Sequence, residues 1–132
     1  MSGFVWEPRF DLGVPEMNDE HRVLIAKMNR LEVLLGLNAP RNTARAALHD
    51  LLTYTKEHFA SEERYMERIA YPAVGTHKRV HVSLIERLEG YASAHSAGAE
   101  LGQDFFDFLH FWLRAHICGV DAKYAAHAHA PA

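Results

Sequence analysis

The sequence contains a single cysteine, Cys118, in 132 residues. One thiol can form no internal disulfide, and a reducing cytoplasm is the expected compartment. No apolar run approaches the roughly 18 residues that a membrane span needs, so no span is expected. There is no basic block or stripe, and the formal net charge is -3. Nucleic acid and anionic membrane surfaces are therefore not expected partners. Met1 to Phe10 carries Trp6, Glu7 and Pro8 and lacks the apolar stretch of a secretory leader. No segment alternates apolar and polar residues over the length of a strand, and no internal repeat is visible. Against these absences stands one excess: ten histidines.

What the chain does have is helical periodicity. A first helix is expected to begin after Asn18 or Asp19, either of which can cap it. Its stripe is Leu24, Met28, Leu31 and Leu35, widened by Ile25 and Leu34. Gly36 to Pro40 reads as a loop. A second helix is expected from near Asn42 to about Ile69, with Ala47, Leu51, Tyr54, His58 and Tyr65 on one face. Tyr71-Pro72 breaks it, because proline has no N–H to donate and its ring clashes with the preceding turn. The third helix runs from about Val74 to Ala94 through Val74, His77, His81, Leu84, Leu88 and Tyr91. After a loop at Ser96 to Gly98, a fourth spans about Glu100 to Cys118, with Leu101, Phe105, Phe108, Trp112 and His116 inward. Gly119 is expected to loosen or end it. The fold class predicted is all-α: one domain over residues 1–132, an antiparallel up-down-up-down four-helix bundle. It comprises an arm (1–17), the bundle (about 18–121) and a loose Ala/His tail (122–132) with little to bury.

The stripes contain residues that packing alone would not choose. His58 and Glu62, and His77 and His81, stand four residues apart, one helical turn on one face. That spacing decides nothing, since ten histidines generate such pairs by chance. Position decides. His58, His77, His81 and His116 fall on the apolar stripe of their helices, where a buried imidazole needs a partner. His21 opens the first helix and Asp121 follows His116 by five residues. Antiparallel neighbours bring His21, His58, Glu62, His77, His81, His116 and Asp121 to one end of the bundle. Five imidazoles and two carboxylates are too many for one tetrahedral zinc and suit two metals of higher coordination. Imidazole and carboxylate without thiolate is compatible with iron. Two six-coordinate ions offer twelve positions; seven ligands with both carboxylates bridging fill nine, an oxygen bridge fills two, and one is left open.

At these residues the chain resembles the hemerythrins, in particular the single-domain bacterial kind. The resemblance rests on Trp6, His21, His58-x-x-x-Glu62, His77-x-x-x-His81 and His116-x-x-x-x-Asp121. Flanking residues agree: Phe59, Glu63 and Met66 around the second motif, Tyr71-Pro72 before the third, Trp112-Leu113 and Ile117 around the last. The match runs from Trp6 to about Tyr124. It implies two non-haem iron ions with an oxo or hydroxo bridge. His77, His81 and His116 would hold one iron and His21 and His58 the other, with Glu62 and Asp121 bridging. It implies reversible dioxygen binding, for carriage, storage or sensing, at the iron of His21 and His58. Leu24, Phe59, Leu113 and Ile117, beside these residues, are the expected apolar walls of the oxygen pocket. The family usually places Gln before its first histidine; here Glu20 adds a charge near the mouth of the site.

The implied protein is a binder rather than an enzyme, with at most a weak peroxidase-like side activity. Its partners would be dioxygen and a redox protein. The competing reading is a di-iron enzyme, such as a peroxidase or a nitric-oxide-handling protein, which needs polar groups beside the open position. A ferritin-type ferroxidase would need Glu-x-x-His, which the chain lacks. Glu63, Glu67 and Arg64 read as surface charges, Tyr54, Tyr65 and Tyr91 as core, and Cys118 as a small buried residue. His49, His95 and His110 read as solvated or locally bonded, and His127 and His129 as parts of the loose tail.

Overall fold

Each of the long helices carries an apolar stripe that only its neighbours can cover, and that requirement arranges the chain. In the computed structural model, which describes residues 3–130, they are α1 (Pro15–Gly36), α2 (Arg41–Arg68), α3 (Val74–Ser96) and α4 (Gln103–Ala115). A π-helical turn (His116–Asp121) then joins α4 to a short α5 (Ala122–His129). The architecture is the expected up-down-up-down four-helix bundle, and no strand occurs among the described residues. No helix of the described residues is long and apolar enough to cross a membrane.

Three tight reversals make the helices antiparallel, all by the same device. Asn38, Ala70 and Gly98 adopt positive φ, at 53°, 54° and 110°. Each lets the following N–H reach five residues back: Ala39 to the Leu34 carbonyl, Tyr71 to Met66, Ala99 to Ala94. That closure satisfies carbonyls left over at a helix end. The core between the helices draws Leu24, Met28 and Leu31 from α1, Leu48, Leu51 and Phe59 from α2, Leu88 from α3, and Phe105, Leu109 and Trp112 from α4. The N-terminal arm, with a 3-10 turn at Pro8–Phe10, lies against this core. Phe4 stacks on Phe10 with ring centroids 5.5 Å apart. Asn29 of α1 pins the Phe4 backbone twice, accepting its N–H and donating to its carbonyl, both at 2.8 Å.

Several boundaries differ from the sequence expectation. α1 starts at Pro15, not after Asn18, because proline at the first position needs no N–H partner there. Asn18 does not cap; its side chain accepts the Leu12 N–H at 3.0 Å and donates to Asp11 at 2.8 Å, fastening the arm. α4 starts at Gln103, since Gly102 is still extended. The expected arm and tail also include residues 1–2 and 131–132, which lie outside the described residues.

The largest difference is the C-terminal segment. Gly119 lies within the π turn, where the α pattern loosens but does not end, and residues 122–129 form α5 rather than a loose tail. Tyr124 is fully buried, packed in a second apolar cluster with Val14, Met17, Met66 and Ala125. Burying an aromatic ring there outweighs the roughly 1 kcal/mol that one glycine costs a helix. His127 and His129 add tertiary ties, with Nε2 atoms 3.1 Å and 3.2 Å from the carbonyls of Ile69 and Leu12. Tyr124→Ala is therefore expected to cost about 3–5 kcal/mol of stability, as other buried aromatic truncations do. Chemical denaturation measures it, and an unchanged midpoint would restore the loose-tail reading.

Candidate metal centre

The bundle end built by the start of α1, the end of α2, the start of α3 and the π turn collects seven buried polar side chains. α1 contributes His21; α2 contributes His58 and Glu62, one turn apart on its inner face; α3 contributes His77 and His81 in the same way. His116 and Asp121 depend on the π turn. Residues five apart on an α-helix, at about 3.6 residues per turn, point about 140° away from each other. The π turn, whose bonds run from i to i+5, absorbs the extra residue and turns both inward. His116 Nε2 comes to lie 3.0 Å from Asp121 Oδ1. The structure thus brings together all seven residues singled out from the sequence.

The two carboxylates are divided between two groups of imidazoles. Glu62 Oε2 faces His21 Nε2 at 3.4 Å and His58 Nε2 at 3.5 Å, while Asp121 Oδ2 lies 3.0 Å from His21 Nε2. The opposite oxygens face the other three rings. Glu62 Oε1 is 3.1 Å from His81 Nε2, 3.8 Å from His116 Nε2 and 4.0 Å from His77 Nε2. Asp121 Oδ1 is 3.1 Å from His77 Nε2. Two sets of donors result, each with its atoms within 4.8 Å of one another: His77, His81, His116, Glu62 and Asp121 in one, His21, His58, Glu62 and Asp121 in the other.

The polar atoms themselves argue for a cation. Among the described residues, eleven buried side-chain nitrogens and oxygens have no hydrogen-bond partner, and eight of them belong to these seven residues. They include Nε2 of His21, His77, His81 and His116 and both oxygens of Asp121. Leaving so many groups unsatisfied in one apolar core would cost about 1–3 kcal/mol each. Convergent lone pairs at metal-ligand spacing are the arrangement that a bound ion satisfies. The donor set is imidazole and carboxylate only. Cys118, half-buried against the apolar core, belongs to neither set.

Around the cluster sit groups that the sequence reading passed over. Tyr124, assigned to the loose tail, donates its hydroxyl to Glu62 Oε2 at 2.8 Å. Burial, then the negative charge of Glu62, push its phenol pKa well above the ordinary value and keep it a neutral donor. Glu63, read as a surface charge, lies with Oε2 2.9 Å from His81 Nδ1. Glu20, read as a charge at the mouth, lies with Oε1 2.6 Å from His58 Nδ1 and accepts a hydrogen bond from Ser61 at 2.7 Å. Had the helix been continued past Gly119, Tyr124 would have stood out, one turn beyond Asp121. His95, read as solvated or locally bonded, is buried at the far end of the bundle, and His110 lies 3.3 Å from Glu32. His49 is exposed. Leu24, Leu113 and Ile117 are buried in one apolar cluster with Phe59. The Phe59 ring lies parallel to His81, centroids 3.7 Å apart, and so covers the three-histidine group more than the two-histidine one.

Electrostatics couples the cluster. Burial opposes a charge on His58, but Glu62 and then the Glu20 hydrogen bond prevail and raise its pKa to about 10. Burial likewise opposes a charge on His116, and Asp121 with Glu62 raises it to about 10. Burial and the Glu62 charge push Asp121 up, but the neighbouring His116 prevails and holds it at about 2.

Known proteins resemble this chain in sequence and fold. The family model described as the hemerythrin HHE cation binding domain matches residues 12–128. A bacteriohemerythrin of Stenotrophomonas maltophilia (strain R551-3) is 34% identical over 125 residues, covering 95% of this chain and 81% of that protein. A bacteriohemerythrin of Pseudomonas aeruginosa (strain LESB58) is 30% identical over 128 residues, covering 94% and 80%. The crystal structure of a wild-type hemerythrin superposes with a TM-score of 0.87 at 29% identity, covering 96% of this chain and 98% of that one.

Metal binding must displace the protons that the carboxylates hold on His58 and His116. Both groups bind protons more tightly than free imidazole, up to about pH 10. Apparent metal affinity should therefore rise with pH, about tenfold per unit for each proton displaced. Chelator competition on the loaded protein between about pH 6 and pH 9 measures that slope. A flat profile would contradict the coupled cluster.

Proposed function

The chain belongs to the hemerythrin family, and from that membership we propose that it binds dioxygen reversibly at a pair of non-haem iron ions, as a carrier, store or sensor. The observation that carries the reading is the unequal division of donors. One group offers three imidazoles and two carboxylate oxygens; the other offers two imidazoles and two carboxylate oxygens. His77, His81 and His116 would hold one iron, His21 and His58 the other, and Glu62 and Asp121 would bridge them beside an oxo or hydroxo group. The group of His21 and His58 is one protein ligand short, which favours it as the place of a small exogenous ligand. Iron supplies the redox chemistry that dioxygen, an uncharged and weak ligand, requires in order to bind.

The protein's own residues do the rest. Leu24, Leu113 and Ile117, all buried in one apolar cluster, exclude water and stray protons from the centre. Tyr124 holds the Glu62 oxygen that faces His21 and His58. These apolar surroundings support binding over turnover. One hemerythrin domain carries the activity, and the lone Cys118 fits a reducing cytoplasm.

Metal analysis after anaerobic loading should give about two irons per chain. Admitting air should then produce an oxygen-dependent visible absorption band that vanishes on deoxygenation and returns over repeated cycles. Irreversible conversion to the ferric form on first exposure would overturn the carrier reading.

A further inference from the structure

We propose that Glu20 and Glu63 are paired positioning residues, each setting one imidazole of one of the two metal positions; the inference rests on the two-metal reading above. Five imidazoles meet in the cluster, and two of them carry a carboxylate on the nitrogen that faces away from it. Glu20 Oε1 is 2.6 Å from His58 Nδ1, and Glu63 Oε2 is 2.9 Å from His81 Nδ1. A carboxylate accepts but cannot donate, so each Nδ1 must carry the proton. Once a metal displaces any proton on the other nitrogen, the lone pair is on Nε2, the atom that faces Glu62 at 3.5 Å in His58 and 3.1 Å in His81. Hydrogen bonding on the distal nitrogen fixes both tautomer and ring angle, and it raises the basicity of the nitrogen that binds metal.

The two carboxylates serve different positions. His58 belongs to the two-histidine set and His81 to the three-histidine set. They reach their rings from different helices as well. Glu20 comes across from α1 to α2 and is locked there: its second oxygen accepts from Ser61 at 2.7 Å, and its backbone carbonyl accepts from Tyr54 at 3.4 Å. Glu63 crosses from α2 to α3. Both side chains stay about a quarter exposed, at 25% and 28%. One oxygen can therefore keep water contact while the other grips a buried ring, which avoids the cost of burying a whole carboxylate. Glu20 acts on the set with fewer donors, where losing one well-set imidazole removes a larger share of the binding.

The test is iron release from the fully loaded protein to an excess of ferrous chelator without oxygen. The wild type should lose both irons slowly. Glu20→Ala should release one iron about 10–100-fold faster and leave the other near the wild-type rate, the range expected when a metal-bound histidine loses its outer partner. Glu63→Ala should do the same by a smaller factor. The double variant should release both irons fast, because the two residues act on different positions. Glu20→Gln keeps an acceptor oxygen for Nδ1 and should stay within a few-fold of the wild type. Should Glu20→Ala fail to fold, the Glu63→Ala and Glu20→Gln arms still decide. The inference is overturned if single variants release both irons together or neither faster, if the double variant frees only one, or if Glu20→Gln is as leaky as Glu20→Ala. A wild type holding fewer than two irons overturns the two-metal reading itself, which is a different result from a loaded protein whose variants do not respond.

Discussion

The structure turns on two carboxylates, each shared between two groups of imidazoles. Glu62 and Asp121 are completely buried, and each points one oxygen at His21 and its neighbours and the other at His77, His81 and His116. A buried carboxylate without positive charge nearby is untenable in an apolar core. Five imidazoles clustered without acid or metal would be equally poorly placed. Each half of the cluster makes the other tolerable, and together they make a cation the natural occupant. Three helices and the π turn hold that balance, and none of them carries more than two of the seven residues.

That constraint explains the irregular stretch of helix at His116–Asp121. His116 and Asp121 must both face inward, yet regular α geometry would separate them. The π turn resolves the conflict at the cost of less favourable backbone bonding, and such turns are frequent at functional sites. Once past it, the chain is aimed to lay α5 against α1 and α2, where Tyr124 fills the space among Val14, Met17 and Met66 and reaches Glu62. The C-terminal helix is thus part of the centre's wall. A substitution in that segment would act on both stability and the centre.

A gradient of polarity surrounds the cluster. Toward the bundle interior lie Leu24, Leu113, Ile117 and the Phe59 ring, which present no hydrogen-bonding groups. Toward the surface lie Glu20 and Glu63, each with one oxygen on a ring of the cluster. On the reading proposed above, an apolar inner side would suit a ligand that must leave unchanged, and the two outer acceptors would suit ions that must stay. Both features belong to one reading of the site, and they are separable by experiment because they involve different residues.

Much of this was legible before any coordinates. Four apolar stripes of period 3.6 specify a helical bundle, and short connections specify antiparallel neighbours. Histidines lying on those stripes mark a cluster, because imidazole is a poor choice for packing alone. What the stripe could not reveal is where a helix continues against its own propensities. Gly119 signals a loosening or an end, and only the burial of Tyr124 among Val14, Met17 and Met66 shows why the helix goes on. Nor could spacing reveal that Glu20 and Glu63 touch rings on other helices, since a charged residue at a helix surface looks the same whether it meets water or a histidine. Local periodicity is written residue by residue, so the sequence by itself determined the four long helices and the four histidines on their inward stripes. Contacts between residues far apart in the chain exist only once the helices pack, so the tertiary structure alone decided the division of each carboxylate, the π turn and the outer partners.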